Sequence, residues 1–233
     1  MTDDRTAWKR AAAEHAVAFV QSGTAIGLGT GSTAVWAVRK VAELLGDGTL
    51  RDVIAVPTSR ATADEAARLG VPLTTLDDQP ELELTIDGAD EVDPSFDVIK
   101  GGGGALLHEK VVAQATKREI IVVDIDKLSP ALGTLHALPV EVVPFGAGPT
   151  ASYLTSLGAA VVLRSGPGGH PFVTDEGNHI LDAGFGAIGD PAGLAAALDA
   201  RAAVVAHGLV LGLTSDLIVA GPNGIEHRRA PAR

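Results

Sequence analysis

The chain has 233 residues, of which 46% are hydrophobic, 20% are charged and only 3% are aromatic. Its formal net charge of −11 would repel a nucleic-acid backbone, so we expect no nucleic-acid partner. The absence of cysteine excludes disulfides, thiolate metal sites and a cysteine nucleophile. The first 20 residues are rich in charge and no apolar run reaches membrane length, so we expect no membrane association and a cytoplasmic location.

The first half of the chain alternates between helical and strand-like patterns, beginning with an amphipathic helix over Thr6 to Val20. Short apolar or β-branched runs predict the strands 24–28, 52–56, 82–86 and 119–123. Between them, patterns of helical period predict helices over 32–45, 59–69 and 105–117. Such alternation is typical of an α/β domain with a mostly parallel sheet.

The pattern changes after about residue 132. Strands are expected over 138–143, 159–163 and 178–181, with helices over 147–157 and 191–200, which indicates a small α+β insert. A last strand, 216–220, is closed by a Gly-Pro-Asn-Gly turn and can rejoin the first sheet. We therefore predict a discontinuous main domain formed by residues 1–132 and 207–233, with residues 133–206 inserted into it.

The first chemical motif is the glycine-rich segment Gly27–Thr33, placed between a predicted strand and a helix. Glycines let the backbone approach an anion, and the helix start offers N–H groups and positive charge. Thr30, Ser32 and Thr33 add hydroxyl groups. Neither the dinucleotide fingerprint nor the Walker pattern is matched, so a monophosphate is the better ligand. The alternative is an ordinary turn in which Ser32 or Thr33 caps the helix.

The second motif is the acidic segment Asp87–Asp93, directly after an apolar strand. Ligands of open α/β sheets lie beyond the carboxyl ends of the strands, where this segment is expected. Carboxylates there can exchange protons with sugar hydroxyls. A solvated acidic turn and a cation-binding loop are the alternatives, although the spacing of the acids is not that of a calcium loop.

The third motif is Lys100 followed by four glycines and a predicted helix that carries Glu109. Four successive glycines lose much conformational entropy on folding, so we expect something to approach this backbone closely. Glycine amides and the Lys100 ammonium can hold an oxyanion that forms during a reaction, with Glu109 facing the same space. A flexible linker is the alternative. Val112 stands where a zinc protease would have its second histidine, so the pattern disfavours zinc.

The three motifs together resemble type A ribose-5-phosphate isomerase. The resemblance rests on Gly-Thr-Gly-Ser-Thr at 29–33, Asp-Gly-Ala-Asp-Glu at 87–91 and Lys-Gly-Gly-Gly at 100–103, followed by Glu109. Further matches are Leu-Pro-Val-Glu-Val at 138–142, Val-Thr-Asp-Glu-Gly-Asn at 173–178 and Gly-Pro-Asn-Gly at 221–224. The matching segments extend over nearly the whole chain.

The resemblance implies a Rossmann-like three-layer domain with an inserted ferredoxin-like α+β domain, no cofactor and no metal. It implies interconversion of ribose 5-phosphate and ribulose 5-phosphate in the non-oxidative pentose phosphate pathway. Glu109 would be the general base, with Asp87, Asp90 and Lys100 as further catalytic residues. The implied substrate-binding residues are Lys9, Thr30, Gly31, Ser32, Thr33, Asp87, Gly88, Ala89, Asp90, Lys100, Gly101, Gly102, Gly103 and Lys127.

Other interpretations of the same residues stay open at this point. Lys127 follows a strand and can bind the substrate anion, but a solvated turn lysine has the same sequence pattern. The chain can be another enzyme of this broad fold, such as an amino-sugar phosphate isomerase and deaminase or an acyl-CoA transferase with a glutamate nucleophile, or a sugar-phosphate sensor without catalysis. A sensor of this kind usually carries a basic helix-turn-helix segment, which this acidic chain lacks. We expect a homodimer, as is common for domains of this size.

Overall fold

Six helices and thirteen strands form the described part of the chain, residues 2–230 of a computed structural model. The helices are α1 (Thr2–Val17), α2 (Ala34–Gly46), α3 (Arg60–Arg68), α4 (Leu106–Gln114), α5 (Ala147–Ser156) and α6 (Pro191–Asp199). The strands are β1 (Ala25–Leu28), β2 (Ile54–Pro57), β3 (Leu84–Asp87), β4 (Glu91–Val92), β5 (Val98–Ile99), β6 (Glu119–Asp124), β7 (Leu138–Val142), β8 (Ala160–Leu163), β9 (His179–Gly184), β10 (Val204–His207), β11 (Leu209–Val210), β12 (Thr214–Gly221) and β13 (Gly224–Arg229).

The chain divides into two compact units at residues that differ from the predicted boundaries. The first unit contains Met1–Ala89, His108–Asp126 and Leu213–Arg233, and the second contains Asp90–Leu107 and Lys127–Gly212. The prediction had placed 90–107, 127–132 and 207–212 in the opposite domain, because the short strands that bind these segments to the second unit have no sequence signature. Residues 1 and 231–233 of the predicted main domain lie outside the described residues.

The first unit is built on a six-stranded sheet in the order β13-β12-β6-β3-β1-β2. All neighbours from β12 to β2 are parallel, and β13 pairs antiparallel with β12 as a hairpin. The parallel part has the doubly wound order in which β1 and β3 are adjacent although β2 lies between them in the chain. The predicted mostly parallel α/β sheet is confirmed.

Alternation along these strands places helices on both faces of the sheet. Ile26 and Leu28 of β1 belong to the core that also contains residues of α1 and α2. Gly27 points to the opposite face, where a Cβ atom would lie 2.8 Å from Val112 of α4. Strands covered on both sides are continuously apolar, which is why the short runs were recognisable in the sequence.

The second unit contains a four-stranded antiparallel sheet in the order β10-β7-β9-β8. Helix α5 follows β7 and helix α6 follows β9, which gives the βαββαβ arrangement of a ferredoxin-like domain and confirms that prediction. The short strands β11, β5 and β4 form a second, three-stranded sheet in this unit. Within residues 2–230, no helix is both long and apolar enough to cross a lipid bilayer.

Candidate active site

The strand order of the first unit defines where a ligand is expected. β1 is flanked by β2 on one side and by β3 on the other, so the connections after β1 and β3 leave in opposite directions. Doubly wound sheets bind ligands at this switch point, beyond the carboxyl ends of the strands. The predicted glycine-rich segment follows β1 and Asp87 is the last residue of β3, so both lie at the switch point.

Asp87 and the glycine-rich segment fit together closely. The Asp87 side chain is 1% exposed, and its Oδ1 accepts hydrogen bonds from the backbone amides of Thr30 at 3.1 Å and Gly88 at 2.7 Å. A Cβ atom on Gly29 would lie 2.0 Å from the same oxygen. Residue 29 must therefore be glycine for the carboxylate of Asp87 to occupy this position.

Thr30 directs its hydroxyl group into a cluster of hydroxyls that the sequence had not revealed. Its Oγ1 lies 2.7 Å from Oγ1 of Thr58, 2.8 Å from Oγ of Ser59 and 3.1 Å from Oγ1 of Thr62. Thr62 also donates to the carbonyl of Gly29 at 3.0 Å. The Thr30 hydroxyl thus stabilises the conformation of the glycine-rich segment. Thr58 and Ser59 directly follow β2, at the same edge of the sheet. Hydroxyl residues directly after a predicted strand are the sequence signal that could have identified them.

Lys9 lies against the glycine-rich segment, as a phosphate-binding lysine would. Its Nζ donates to Oγ of Ser32 at 2.9 Å, which brings an ammonium group to the start of α2. Thr33 occupies the N-cap position of α2 without a side-chain capping hydrogen bond, so the interpretation as an ordinary cap is not supported. Gly31 and Ser32 are exposed, and Gly31 has a φ of +109° that favours glycine.

Glu109 is 6% exposed and lies in the first turn of α4. Two contacts fix the direction of this helix: Val112 packs against Gly27, and Oγ1 of Thr116 lies 2.6 Å from Oγ1 of Thr85. The end of the helix therefore lies towards the beginning of β3, and its first turn lies towards the carboxyl ends of β1 and β3. The first unit brings Glu109 to the same edge of the sheet as Asp87.

The second unit contains Asp90 and the glycine run. Oδ2 of Asp90 accepts the amide of Gly102 at 2.6 Å, and a Cβ atom on Gly102 would lie 2.5 Å from Oδ1 of Asp90. Gly101 and Gly104 have φ angles of +101° and +87°, and the Gly104 amide donates to the Gly101 carbonyl at 2.9 Å. Lys100 is 2% exposed. These close contacts argue against a flexible linker.

Glu91, within the acidic motif, has a role that the sequence analysis did not foresee. Its carboxylate is fully buried and accepts four backbone amides, those of residues 133, 134, 135 and 136, at 3.0 to 3.2 Å. A carboxylate with this set of donors organises a loop. Because that loop begins 42 positions further along the chain, no local pattern indicates the pairing.

The predicted site residues divide between the units. Lys9, the 30–33 segment, Asp87 to Ala89 and Glu109 belong to the first, whereas Asp90, the 100–103 run and Lys127 belong to the second. Lys127 ends a 3₁₀ turn directly after β6. Among residues 2–230, no group of three or more histidine and carboxylate side chains is placed to hold a metal ion.

A cavity of about 330 Å³ lies beside α4 in the first unit, between the end of β2, residues 74–77 and the side chains of His108, Val111 and Val112. Its walls are mostly apolar, and it contains none of the predicted site residues. Its polar lining consists of Thr74, Thr75, Asp77 and His108, without the lysine and glycine amides that the switch point offers to a phosphate.

Comparison with known proteins agrees with this geometry. Residues 54–224 match the family model of ribose 5-phosphate isomerase A (phosphoriboisomerase A). The chain is 57% identical over 219 residues to the ribose-5-phosphate isomerase A of Chloroflexus aurantiacus, covering 94% of this chain and 92% of the relative. It is 51% identical over 224 residues to that of Desulfatibacillum aliphaticivorans, covering 96% and 97%.

Solved structures give the same result. A D-ribose-5-phosphate isomerase in complex with phospho-erythronic acid superposes with a TM-score of 0.94 at 33% identity, covering 96% of this chain and 98% of the other. Ribose 5-phosphate isomerase from Plasmodium falciparum also gives 0.94, at 35% identity, with 97% and 100% covered. The match to the family model and the identity of 57% over nearly the full length establish that the chain belongs to the ribose 5-phosphate isomerase A family.

Proposed function

We propose that this chain interconverts D-ribose 5-phosphate and D-ribulose 5-phosphate in the non-oxidative pentose phosphate pathway, without a cofactor. The observation that carries the proposal is the buried Glu109 at the edge of the sheet where Asp87 and the anion-binding segment also lie. An aldose-ketose isomerase of a sugar phosphate requires a general base, a second carboxylate and a site that binds the phosphate group. Membership of the family supports the same reaction.

In the proposed mechanism, Asp87 assists the opening of the furanose ring. Glu109 then removes the proton on C2 of the aldehyde form, and the electron pair of that C–H bond forms the C1–C2 double bond. The aldehyde oxygen becomes the negative oxygen of a cis-enediolate. Glu109 returns the proton to C1 while the hydrogen of the C2 hydroxyl is transferred to the C1 oxygen, which leaves the ketose. The substrate and the product have the same atoms and charge.

Lys100 is proposed to stabilise the negative oxygen of the enediolate. A charge that exists only in the transition state and intermediate is the one whose stabilisation accelerates the step. The amide of Gly102 already donates to Asp90, so we assign Asp90 the task of holding this loop. Lys9, Ser32 and Thr33 are proposed to bind the phosphate, and Lys127 is kept as a further substrate contact.

The decisive test is isomerisation of ribose 5-phosphate by purified protein in EDTA, compared with Glu109→Gln. We expect the variant to lose about 10² to 10⁴ in kcat while it still binds phospho-erythronic acid, because a positioned general base contributes a factor of this size. Glu83→Gln, at a side chain that is 53% exposed and paired with Lys117, is the matched control and should keep its activity.

Each other outcome selects a different function. Near-normal turnover by Glu109→Gln would refute its assignment as the base. Binding of the sugar phosphate without turnover by the unmodified chain would favour the sensor interpretation, and release of ammonia or exchange of CoA would indicate another enzyme of this fold. We also propose a cytoplasmic homodimer, for which light scattering should give twice the mass of one chain.

A further inference from the structure

Arg164, just after β8, carries a set of contacts to which neither the motifs nor the proposed mechanism gives a role. Its Nε and Nη2 donate to Oδ2 and Oδ1 of Asp182 at 2.9 and 2.5 Å. Its Nη1 donates to the carbonyl oxygens of Gly101 at 2.8 Å and Gly102 at 3.1 Å. The side chain is only 15% exposed. One guanidinium group therefore connects a strand carboxylate with two carbonyls of the glycine run, all within the second unit.

These contacts determine where the amides of the glycine run point. In a trans peptide the C=O of one residue and the N–H of the next point in opposite directions. The Gly101 carbonyl faces Arg164, so the Gly102 amide faces away, and there it donates to Asp90. The Gly102 carbonyl also faces Arg164, so by the same rule the Gly103 amide faces away from Arg164. Gly103 is exposed.

A glycine run needs such restraint more than other segments do. Fixing the backbone of a residue costs conformational entropy, and glycine loses the most freedom. The turn is also closed from another side, because a Cβ atom on Gly104 would lie 2.5 Å from the ring of Phe172. The Arg164 guanidinium lies 5.8 Å from the centre of that ring. Arg164 therefore donates to carbonyls of the glycine run and also lies over the ring of Phe172, against which Gly104 packs.

We propose that Arg164, itself held by Asp182, is a positioning residue that fixes the 100–103 run so that the Gly103 amide and Lys100 are presented to the enediolate. The inference rests on the proposed isomerase function. Donors that are oriented before the reaction stabilise a developing charge without a reorganisation cost. Loss of Arg164 should therefore reduce kcat more than it raises KM, since the free energy that binds the phosphate is not involved.

The test compares Arg164→Lys with Arg118→Lys. Lysine keeps the charge, but its single ammonium lacks the planar fork by which three separate nitrogen atoms of Arg164 reach Asp182 and the two carbonyls. Arg118 forms the equivalent two-pronged pair with Asp216 in the first unit, at 2.7 and 3.0 Å, and is the matched control for loss of a partly buried arginine–aspartate pair. We expect kcat to fall about 10- to 100-fold in Arg164→Lys, with KM changed less than about threefold, and to stay within about twofold in Arg118→Lys.

Hydrogen exchange supplies a readout that does not depend on catalysis. In Arg164→Lys the amides of Gly102 and Gly104 should exchange at least about tenfold faster, because their hydrogen bonds open more often in a less restrained loop. If the unmodified chain does not isomerise ribose 5-phosphate, the proposed function fails, and exchange still decides whether Arg164 restrains the run. Asp182→Asn, which keeps Arg164 but weakens its anchor, should change both readouts in the same direction and serves if Arg164→Lys does not fold.

Two results would overturn the inference. One is unchanged exchange at Gly102 and Gly104 in Arg164→Lys. The other is a kcat loss no larger than that of Arg118→Lys once both variants are corrected for their folded fraction, since this would reduce the contacts of Arg164 to ordinary stabilisation of the fold.

Discussion

Replacement of Glu91 by glutamine tests a buried carboxylate of the acidic motif that accepts four backbone amides. The substitution preserves shape, but the new side chain offers one acceptor oxygen to the loop where the carboxylate offers two. Each carboxylate oxygen accepts two of the four amides of residues 133–136, so two donors will face an NH₂ group that cannot accept them. A lost hydrogen bond to a charged group costs about 1–3 kcal/mol.

Two lost acceptors give an expected destabilisation of about 2–4 kcal/mol, at the lower end of the possible range because two of the donors belong to exposed residues. Against a total stability of about 5–15 kcal/mol this is easily measured. Urea-induced unfolding gives the free energy, and hydrogen exchange of residues 133–136 locates the effect. Glu83→Gln, which loses an exposed ion pair, should cost no more than about 1 kcal/mol. A Glu91→Gln loss no greater than that of this control would refute the reasoning.

Two further predictions concern the first unit. Gly29→Ala should remove most activity and lower stability by about 2–4 kcal/mol, because the new Cβ would displace the Asp87 carboxylate from its amide donors; turnover and urea unfolding measure both effects. Burial raises the pKa of Asp216, but hydrogen bonds from Arg118 and His227 outweigh it and hold this pKa below the usual value. The stabilisation by Asp216 should be complete above about pH 3.9, which is the pKa of aspartate in the unfolded chain. It should disappear as the pH falls through the lower pKa of Asp216 in the folded protein, and urea unfolding from pH 6 to 2 measures this loss.

Each of these predictions has a matched comparison. Gly46→Ala changes a glycine that has open space around it at the end of α2, so it should be neutral or stabilise the fold slightly. An activity loss in Gly46→Ala as large as that in Gly29→Ala would contradict the steric argument. In Asp216→Asn the free energy of unfolding should fall less steeply between pH 6 and 2. An unchanged fall would show that other carboxylates are responsible for it.

The sequence predicted the parallel strands well because they are buried on both faces. β1, β3 and β6 are short apolar runs between helices, so periodicity and length identify them without tertiary information. β4 and β11 have two residues each, and their pairing depends on β5, which follows β4 and precedes β11 by more than 100 positions. β13, with the polar sequence Gly-Ile-Glu-His-Arg-Arg, gave no strand signal because it lies at the sheet edge and is largely exposed.

Candidate site residues were predictable where a local sequence motif coincides with the end of a strand or the start of a helix. Asp87 ends a strand and Ser32 precedes a helix, and both positions have a physical meaning that can be inferred from one short segment. Glu91 and Arg164 act through carbonyls and amides at least 42 positions away, and nothing in their neighbouring residues indicates those partners. The holding of distant backbone atoms is therefore the role that sequence reasoning misses, because a backbone amide or carbonyl has no residue type.

Three of the four acids in the acidic motif can now be interpreted by what their carboxylates hold. Asp87 accepts the amides of Thr30 and Gly88 in the first unit, and Asp90 accepts the amide of Gly102 in the second. Glu91 accepts the four amides of residues 133–136. Three acids within five positions thus organise three different loops, and a carboxylate bound to backbone amides is rigid as well as charged. Rigidity is what a proton-transfer site requires, because a base that moves by about 1 Å loses much of its effect.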